Sequence, residues 1–412
     1  MTITQAVQAL RPAAARLRAG AALLGPAFVA AVAYVDPGNV ATNTAAGARY
    51  GYLLVWVIVG ANAMAGLVQY LSAKLGLVTG LSLPEALRDR MPRVGRLAYW
   101  LQAEVVAMAT DLAEVLGGAI ALHILFHLPL VLGGAITGVA STALLLVQNR
   151  SGQRPFERAV TIMLVVVAIG FAAGLFVSAP DPAATAAGLV PRFADGDSVL
   201  LAAGILGATV MPHAVYVHSA LARDRHGRLG SGAARDRLLA ATRVDVGMAM
   251  LFAGAVNLAM LLVAATALRG TSSADTLEGA HAAIGDHLGQ GVALLFAVAL
   301  LASGLASTAV GCYSGAVVLD GLLRIRVPLL VRRVVTLVPA IGVLAAGVDP
   351  TRALVLSQVV LSFGIPFALV PLVWLTARRR VMGAAVNGTL TTVFAGVVAA
   401  AVVALNLVLV FA

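Results

Sequence analysis

From about residue 22 onward the chain is a succession of apolar stretches of roughly 20 residues or more, each long enough to cross a ~30 Å hydrocarbon core as a helix. A water-soluble fold must cover itself with polar groups, and this chain lacks them. Of its 412 residues 60% are hydrophobic and 11% charged, and the mean hydropathy is +0.96. Strand-like alternation is absent, which excludes a membrane β-barrel. The expectation is an all-α polytopic membrane protein with eleven spans, at about 22–49, 52–78, 97–126, 129–148, 159–178, 198–221, 240–268, 288–322, 331–348, 350–377 and 381–411. The single cysteine, Cys312, cannot form an internal disulfide, leaves the redox compartment open and rules out a cysteine-based metal site.

A net charge of +10 could signal nucleic-acid binding, but its distribution has another meaning. Arginines crowd alternate connections: Arg11, Arg16 and Arg18 before the first span, then clusters near residues 88–96, 150–158, 223–237, 324–333 and 378–380. These hold 22 of the 28 basic residues, whereas the opposite connections hold only Arg49, Arg192, Arg269 and Arg352. By the positive-inside rule the amino terminus is cytoplasmic and, after eleven spans, the carboxyl terminus is outside; the expected location is the cell's inner (plasma) membrane. The basic charge then serves topology and anionic lipid, and no nucleic-acid partner is expected. The segment 1–21 shows no small-residue cleavage pattern and reads as a cytoplasmic amino-terminal segment before one transporter domain, 22–412. No connection is long enough to fold alone, so function lies within the membrane.

Two spans are interrupted at mid-length, the first at Ala33-Tyr34-Val35-Asp36-Pro37-Gly38-Asn39 and the sixth at Ala208-Thr209-Val210-Met211-Pro212-His213. Each proline removes a helical hydrogen bond and disfavours helical backbone in the residue before it, which places Asp36 and Met211 in unwound chain. Transmembrane prolines commonly do no more than kink a helix. Here, however, Pro212 follows Pro37 by 175 residues, about the length of five spans, and the two breaks occupy corresponding places. That layout is the pointer to an inverted 5+5 repeat, with repeat one at about 22–178, repeat two at about 198–377, an extra helix at about 381–411, and the site between the broken helices.

The residue types at the breaks suit a cation. Asp36 offers an anionic oxygen, Asn39 a neutral oxygen and Met211 a soft thioether, while Ala33 and Ala208, each three residues before a proposed ligand, can offer carbonyls. Oxygen together with sulfur favours a transition metal, because calcium and magnesium prefer oxygen cages. A methionine in an apolar span is more often core packing; its place before the second proline is what singles it out.

At these motifs the chain resembles the Nramp (natural resistance-associated macrophage protein) family of divalent-metal transporters. Asp36-Pro37-Gly38-Asn39 and Met211-Pro212-His213 carry the resemblance, which runs through Met108-Ala109-Thr110-Asp111-Leu112-Ala113-Glu114 and covers the chain from about residue 22. It implies a LeuT-like fold with helices 1 and 6 broken, and proton-coupled import by alternating access. The implied cargo is manganese or iron, with cadmium, cobalt and zinc as further candidates. It also implies that Asp36, Asn39 and Met211 bind metal through side chains, that the carbonyls of Ala33 and Ala208 join in different conformations, and that Gln358 adds an oxygen in some state. Metal and proton are cargo, and no cofactor is expected. A related magnesium-transporting branch is expected to lack the methionine.

A second polar group can carry protons. Glu104, Asp111 and Glu114 are spaced by seven and three, so they share one helical face that must turn inward from lipid. His213, beside the second proline, is of a type that titrates near neutrality. The resemblance assigns a proton role to His213, Glu114, Asp111 and Arg333, with Asp36 shared between metal and proton. For Glu104 a peripheral ion pair stands equally open, and Arg332 with Arg333 could be plain membrane anchors. Asn62, Gln69, Asn257, Arg243 and Asp245 read as interhelical hydrogen-bonding residues. The remaining histidines lack ligand spacing, and Lys74, the only lysine, reads as snorkelling.

Three other readings compete. A LeuT-fold carrier of magnesium or of an amino acid would not need Met211 beside Asp36. A channel would pass ions without coupling, and an intramembrane metalloprotease would need a His-Glu-x-x-His pair that the chain lacks.

Overall fold

The computed structural model describes residues 26–151, 153–227, 230, 232–270 and 276–411; the expected amino-terminal segment 1–21 lies outside them. Regular structure among the described residues is entirely helical. Span one comprises Pro26–Val32, a 3-10 turn Ala33–Val35 and Pro37–Tyr50. Spans two to five are Val55–Thr79, Arg93–Phe126, Leu130–Ser151 and Gln153–Val177. Span six is Gly196–Thr209 with Pro212–His226, and spans seven to eleven are Ala233–Ala267, Gln290–Leu323, Leu329–Ala345, Pro350–Thr376 and Thr389–Phe411. Eight of these, counting span six as one, are long and apolar enough to cross a membrane. Of the others, span one is cut in two, span four is an apolar helix over Leu130–Ala143 among the described residues, and span nine has 17 residues.

Burial sorts the spans into core and rim. The apolar window of span six is 89% buried inside the protein, that of span eleven 22%, so span eleven presents most of its surface to lipid. Spans three and eight pack extensively on each other at the centre. The second half of span one lies on span seven, and the second half of span six lies on span two. Exchanging every span for the one five positions away turns the first pairing into the second, the relation expected of two inverted five-span repeats. The breaks of the two interrupted spans meet, Asn39 of the first lying within hydrogen-bond distance of Ala208 in the second.

Short helices that the hydropathy pattern does not signal occupy the connections: Leu83–Arg88, Pro182–Ala187 and Leu277–Leu288. The first shows how the arginine-rich face is tied together. Ser82 and Glu85 form a reciprocal capping box, Leu83 N–H donates to Ser219 Oγ at 3.0 Å, and Arg223 of span six pairs with Glu85. Burial acts to raise the Glu85 carboxyl, but hydrogen bonds from Ser82 and the charge of Arg223 outweigh it and hold the carboxyl below its usual range.

Lys74 departs from the snorkelling expectation. It is buried, and its Nζ donates to Asn387 Oδ1 at 2.7 Å, while Asn387 Nδ2 donates to Thr376 Oγ1 at 2.9 Å. An ammonium so placed joins span two to the turn between spans ten and eleven.

Candidate functional site

At each break an extended residue precedes the proline, and in span six Val210, at φ −99° and ψ 61°, lies outside the helix as well. Asp36 has φ −81° and ψ 169°, Met211 has φ −68° and ψ 122°, and each is the cap residue of the half-helix that its proline opens. A proline also strands the carbonyl four residues before it, because that oxygen loses its N–H partner. The stranded oxygens are those of Ala33 and Ala208, the two carbonyls expected among the metal ligands; the i−4 relation is a sequence signal for them. Ala208 O accepts from Asn39 Nδ2 at 2.9 Å, which joins the two breaks directly. Side chains from other spans hold the neighbouring carbonyls of span one: Asn257 Nδ2 donates to Tyr34 O at 2.7 Å and Ser303 Oγ to Val35 O at 2.6 Å.

Around the junction the oxygens outnumber their donors. Asp36 Oδ1 accepts from Asn39 N at 2.7 Å and from Asn39 Nδ2 at 2.8 Å, yet Asp36 Oδ2, Asn39 Oδ1 and Gln358 Oε1 have no hydrogen-bond partner among the described residues. All three residues are fully buried. Gln358 Nε2 is engaged with Ser357 Oγ at 3.2 Å. Its amide reaches the first break because Gly38 has no side chain: a Cβ there would collide with it. Likewise a Cβ on Gly117 of span three would strike Pro37. A buried acceptor without a donor costs about 1–3 kcal/mol, so three at one junction suit a positively charged occupant. The carboxyl ends of the two first half-helices point their negative poles at the same place. Met211 is completely buried at the second break and adds a polarizable sulfur. Among the described residues no three His, Cys, Asp or Glu cluster as for a resident metal; one carboxylate, two amides, carbonyls and a thioether make the group.

The structure sorts the candidate proton residues into pairs and singles. Asp111 pairs with Arg333, which also donates to Ser141 Oγ at 2.7 Å. Glu104 pairs with Arg332 at 3.1 and 3.2 Å. Both arginines are buried, so the membrane-anchor alternative fails, and Glu104 sits at the edge with its side chain 16% exposed. Glu114 is fully buried with both oxygens unpartnered, packed against Gly311. His213 Nδ1 lies 3.3 Å from Thr110 Oγ1 and its Nε2 has no partner. No hydrogen bond links Glu114 or His213 to Asp36, Asn39 or Gln358 among the described residues.

Of the interhelical residues, Asn257 bonds Asn43 as well as Tyr34, Gln69 joins Tyr34 and His218, Asp245 accepts from Ala27 N, and Arg243 reaches Tyr70. Sequence reasoning had no means of finding Asn43 and Ser303, since only the folded chain reveals which carbonyls they meet. On the arginine-poor face a cavity of about 490 Å³, lined among others by Ala45, Leu201 and Val355, descends between spans one, six and ten. Val355 and Leu356 of this lining lie within one turn of Gln358 on span ten.

Residues 27–412 match the family model described as natural resistance-associated macrophage protein-like, Nramp. The divalent metal cation transporter MntH of Mycobacterium tuberculosis is 64% identical over 389 residues, 94% of this chain and 91% of that protein. Its counterpart in Bacillus subtilis is 47% identical over 390 residues, 94% of this chain and 91% of that protein. The Eremococcus coleocola manganese transporter superposes with a TM-score of 0.84 at 31% identity, covering 93% of this chain and 85% of that one. MhsT, solved with L-phenylalanine, gives a TM-score of 0.60 at 16% identity over 92% of this chain and 98% of its own, a likeness of fold alone.

Proposed function

Because this chain belongs to the Nramp family, we propose that it is a divalent metal cation transporter that imports manganese or iron by alternating access, coupled to proton entry. What chiefly supports the reading is the junction of the two breaks, where Asp36 Oδ2, Asn39 Oδ1 and Gln358 Oε1 are buried without donors beside the Ala208 carbonyl and Met211. The names of the relatives point the same way, to divalent metal cations and to manganese.

In this reading Asp36, Asn39, Met211 and Gln358 bind the ion through side chains. Ala33 and Ala208 contribute carbonyls. The thioether favours manganese, iron, cadmium, cobalt or zinc over calcium and magnesium. Protons pass by way of Asp36, Glu114 and His213 toward the Asp111–Arg333 pair, with Glu104 and Arg332 at the margin. No cofactor is needed, since both ions are cargo. The repeats run from about 22 to 178 and from about 198 to 377, with span eleven outside them. The arginine-rich face is cytoplasmic, which puts the 490 Å³ cavity on the outside of the cell's inner membrane.

Uptake into proteoliposomes under imposed pH and voltage gradients tests this. Manganese should enter faster with acid outside, protons should accompany it, and calcium and magnesium should compete poorly. Manganese flux indifferent to the pH gradient would remove the proton from the proposal; no manganese flux at all would remove the metal.

A further inference from the structure

Span ten runs unbroken from Pro350 to Thr376 although it contains two prolines, Pro366 and Pro371. Each strands the carbonyl four residues earlier, those of Ser362 and Phe367. Both oxygens have recruited a side-chain donor from a different span. Asn406 of span eleven donates Nδ2 to Ser362 O at 2.8 Å and accepts from Ser362 Oγ at 2.6 Å. Tyr99 of span three donates its hydroxyl to Phe367 O at 2.5 Å. The two joints differ in kind. The first is a reciprocal double bond to one residue, built to persist. The second is a single hydroxyl hydrogen that has an alternative acceptor, because Tyr99 Oη also lies 3.0 Å from the hydroxyl of Tyr216 in the second half of span six, a contact in which either oxygen can donate. The rings of Tyr99 and Tyr216 meet edge to face, with centroids 6.3 Å apart.

We propose that Tyr99 is a positioning residue for transport: its one hydroxyl latches the proline joint of span ten at Phe367 to span three, beside span six, and holds the conformation in which the outer cavity is open. Span ten carries Gln358 and span six carries Met211, so the latch touches both elements that bear proposed ligands. When Tyr99 turns its hydrogen to Tyr216, Phe367 O is left without a donor and span ten is free to bend at Pro371. The latch lies three turns along span three from Asp111, remote from the metal junction, and its effect is on the balance of conformations.

The test uses the full chain in lipid nanodiscs with Cys312→Ser and Ala45→Cys, so that a bulky maleimide reports opening of the cavity Ala45 lines. Tyr99→Phe keeps the buried ring and removes the hydroxyl; losing one net hydrogen bond should slow labelling by about fivefold. Pro371→Ala restores a backbone N–H that can serve Phe367 O, so in that background Tyr99→Phe should change labelling by less than about twofold. Labelling at the parent rate in Tyr99→Phe would overturn the latch, and so would a loss equally large with or without Pro371→Ala, because a loss cured by a backbone donor to Phe367 O is a loss of that hydrogen bond and not of ring packing. If Tyr99→Phe fails to fold, Tyr216→Phe is the second variant: it leaves Tyr99 a single acceptor and should speed labelling, and a slower rate overturns the assignment. Labelling needs no cargo, so these outcomes are separable from failure of the metal-transport reading.

Discussion

Asp36→Asn separates charge from architecture at the first break. The asparagine keeps an oxygen where Asp36 Oδ1 accepts from Asn39 N and Asn39 Nδ2, so the half-helix beginning at Pro37 keeps its cap. Exchanging one good capping residue for another changes stability by less than about 1 kcal/mol. Binding is a different matter, since Asp36 is the only carboxylate among the proposed ligands. Two unit charges 4 Å apart at an effective dielectric constant of about 20 interact by roughly 4 kcal/mol, and a divalent ion doubles this. Even if the amide dipole and retained water recover most of that attraction, about 3 kcal/mol should be lost, a rise in the manganese Kd of more than about a hundredfold. Isothermal titration of purified protein with manganese, beside the unfolding midpoint in the same detergent, gives both quantities. A Kd within tenfold of the parent would refute the assignment of Asp36 as the anchoring ligand; a collapsed midpoint would mean that the carboxylate mainly holds the break together.

Met211→Ala removes the one soft ligand and leaves an all-oxygen site with room for water, so cadmium uptake should fall more than manganese uptake and calcium or magnesium should begin to inhibit; an unchanged order of preference among the four would reduce Met211 to packing. Arg333→Met strands the buried carboxylate of Asp111 and should cost about 3–5 kcal/mol, seen as a lower unfolding midpoint, whereas adding Asp111→Leu should restore much of it. Glu114→Gln and His213→Ala should depress pH-driven uptake while leaving the manganese Kd within about threefold; intact proton flux in both would remove them from the pathway.

Much of this architecture can be read in the sequence because the bilayer makes simple demands. A helix stands at each of the eleven places that hydropathy marks, and the boundary differences have causes: span seven begins at Ala233 and not near 240 because its first turns carry Arg235, Asp236 and Arg237, which hydropathy does not count. The breaks were legible because proline acts locally on its own backbone. Partners across the bundle were not. Nothing near Lys74 announces Asn387, 313 residues away, and nothing near Pro371 announces Tyr99. Those pairings depend on which helices become neighbours, a property of the assembled fold. The short helix Leu277–Leu288 is not signalled because it lies in the connection between spans seven and eight and shows no apolar run of spanning length.

The Asn39 amide bridges Asp36 Oδ1 and Ala208 O, two oxygens that the reading gives to the metal. If these oxygens bind the ion, the Nδ2–H of Asn39 competes with it for both of them, while Asn39 Oδ1 stays available as a ligand. Cargo must displace that N–H on arrival, and it can return as cargo leaves. Affinity is then the difference between coordination and these hydrogen bonds, which keeps it moderate. A storage protein gains from holding its ion as tightly as its ligands allow, but a carrier that did so would turn over once and stall.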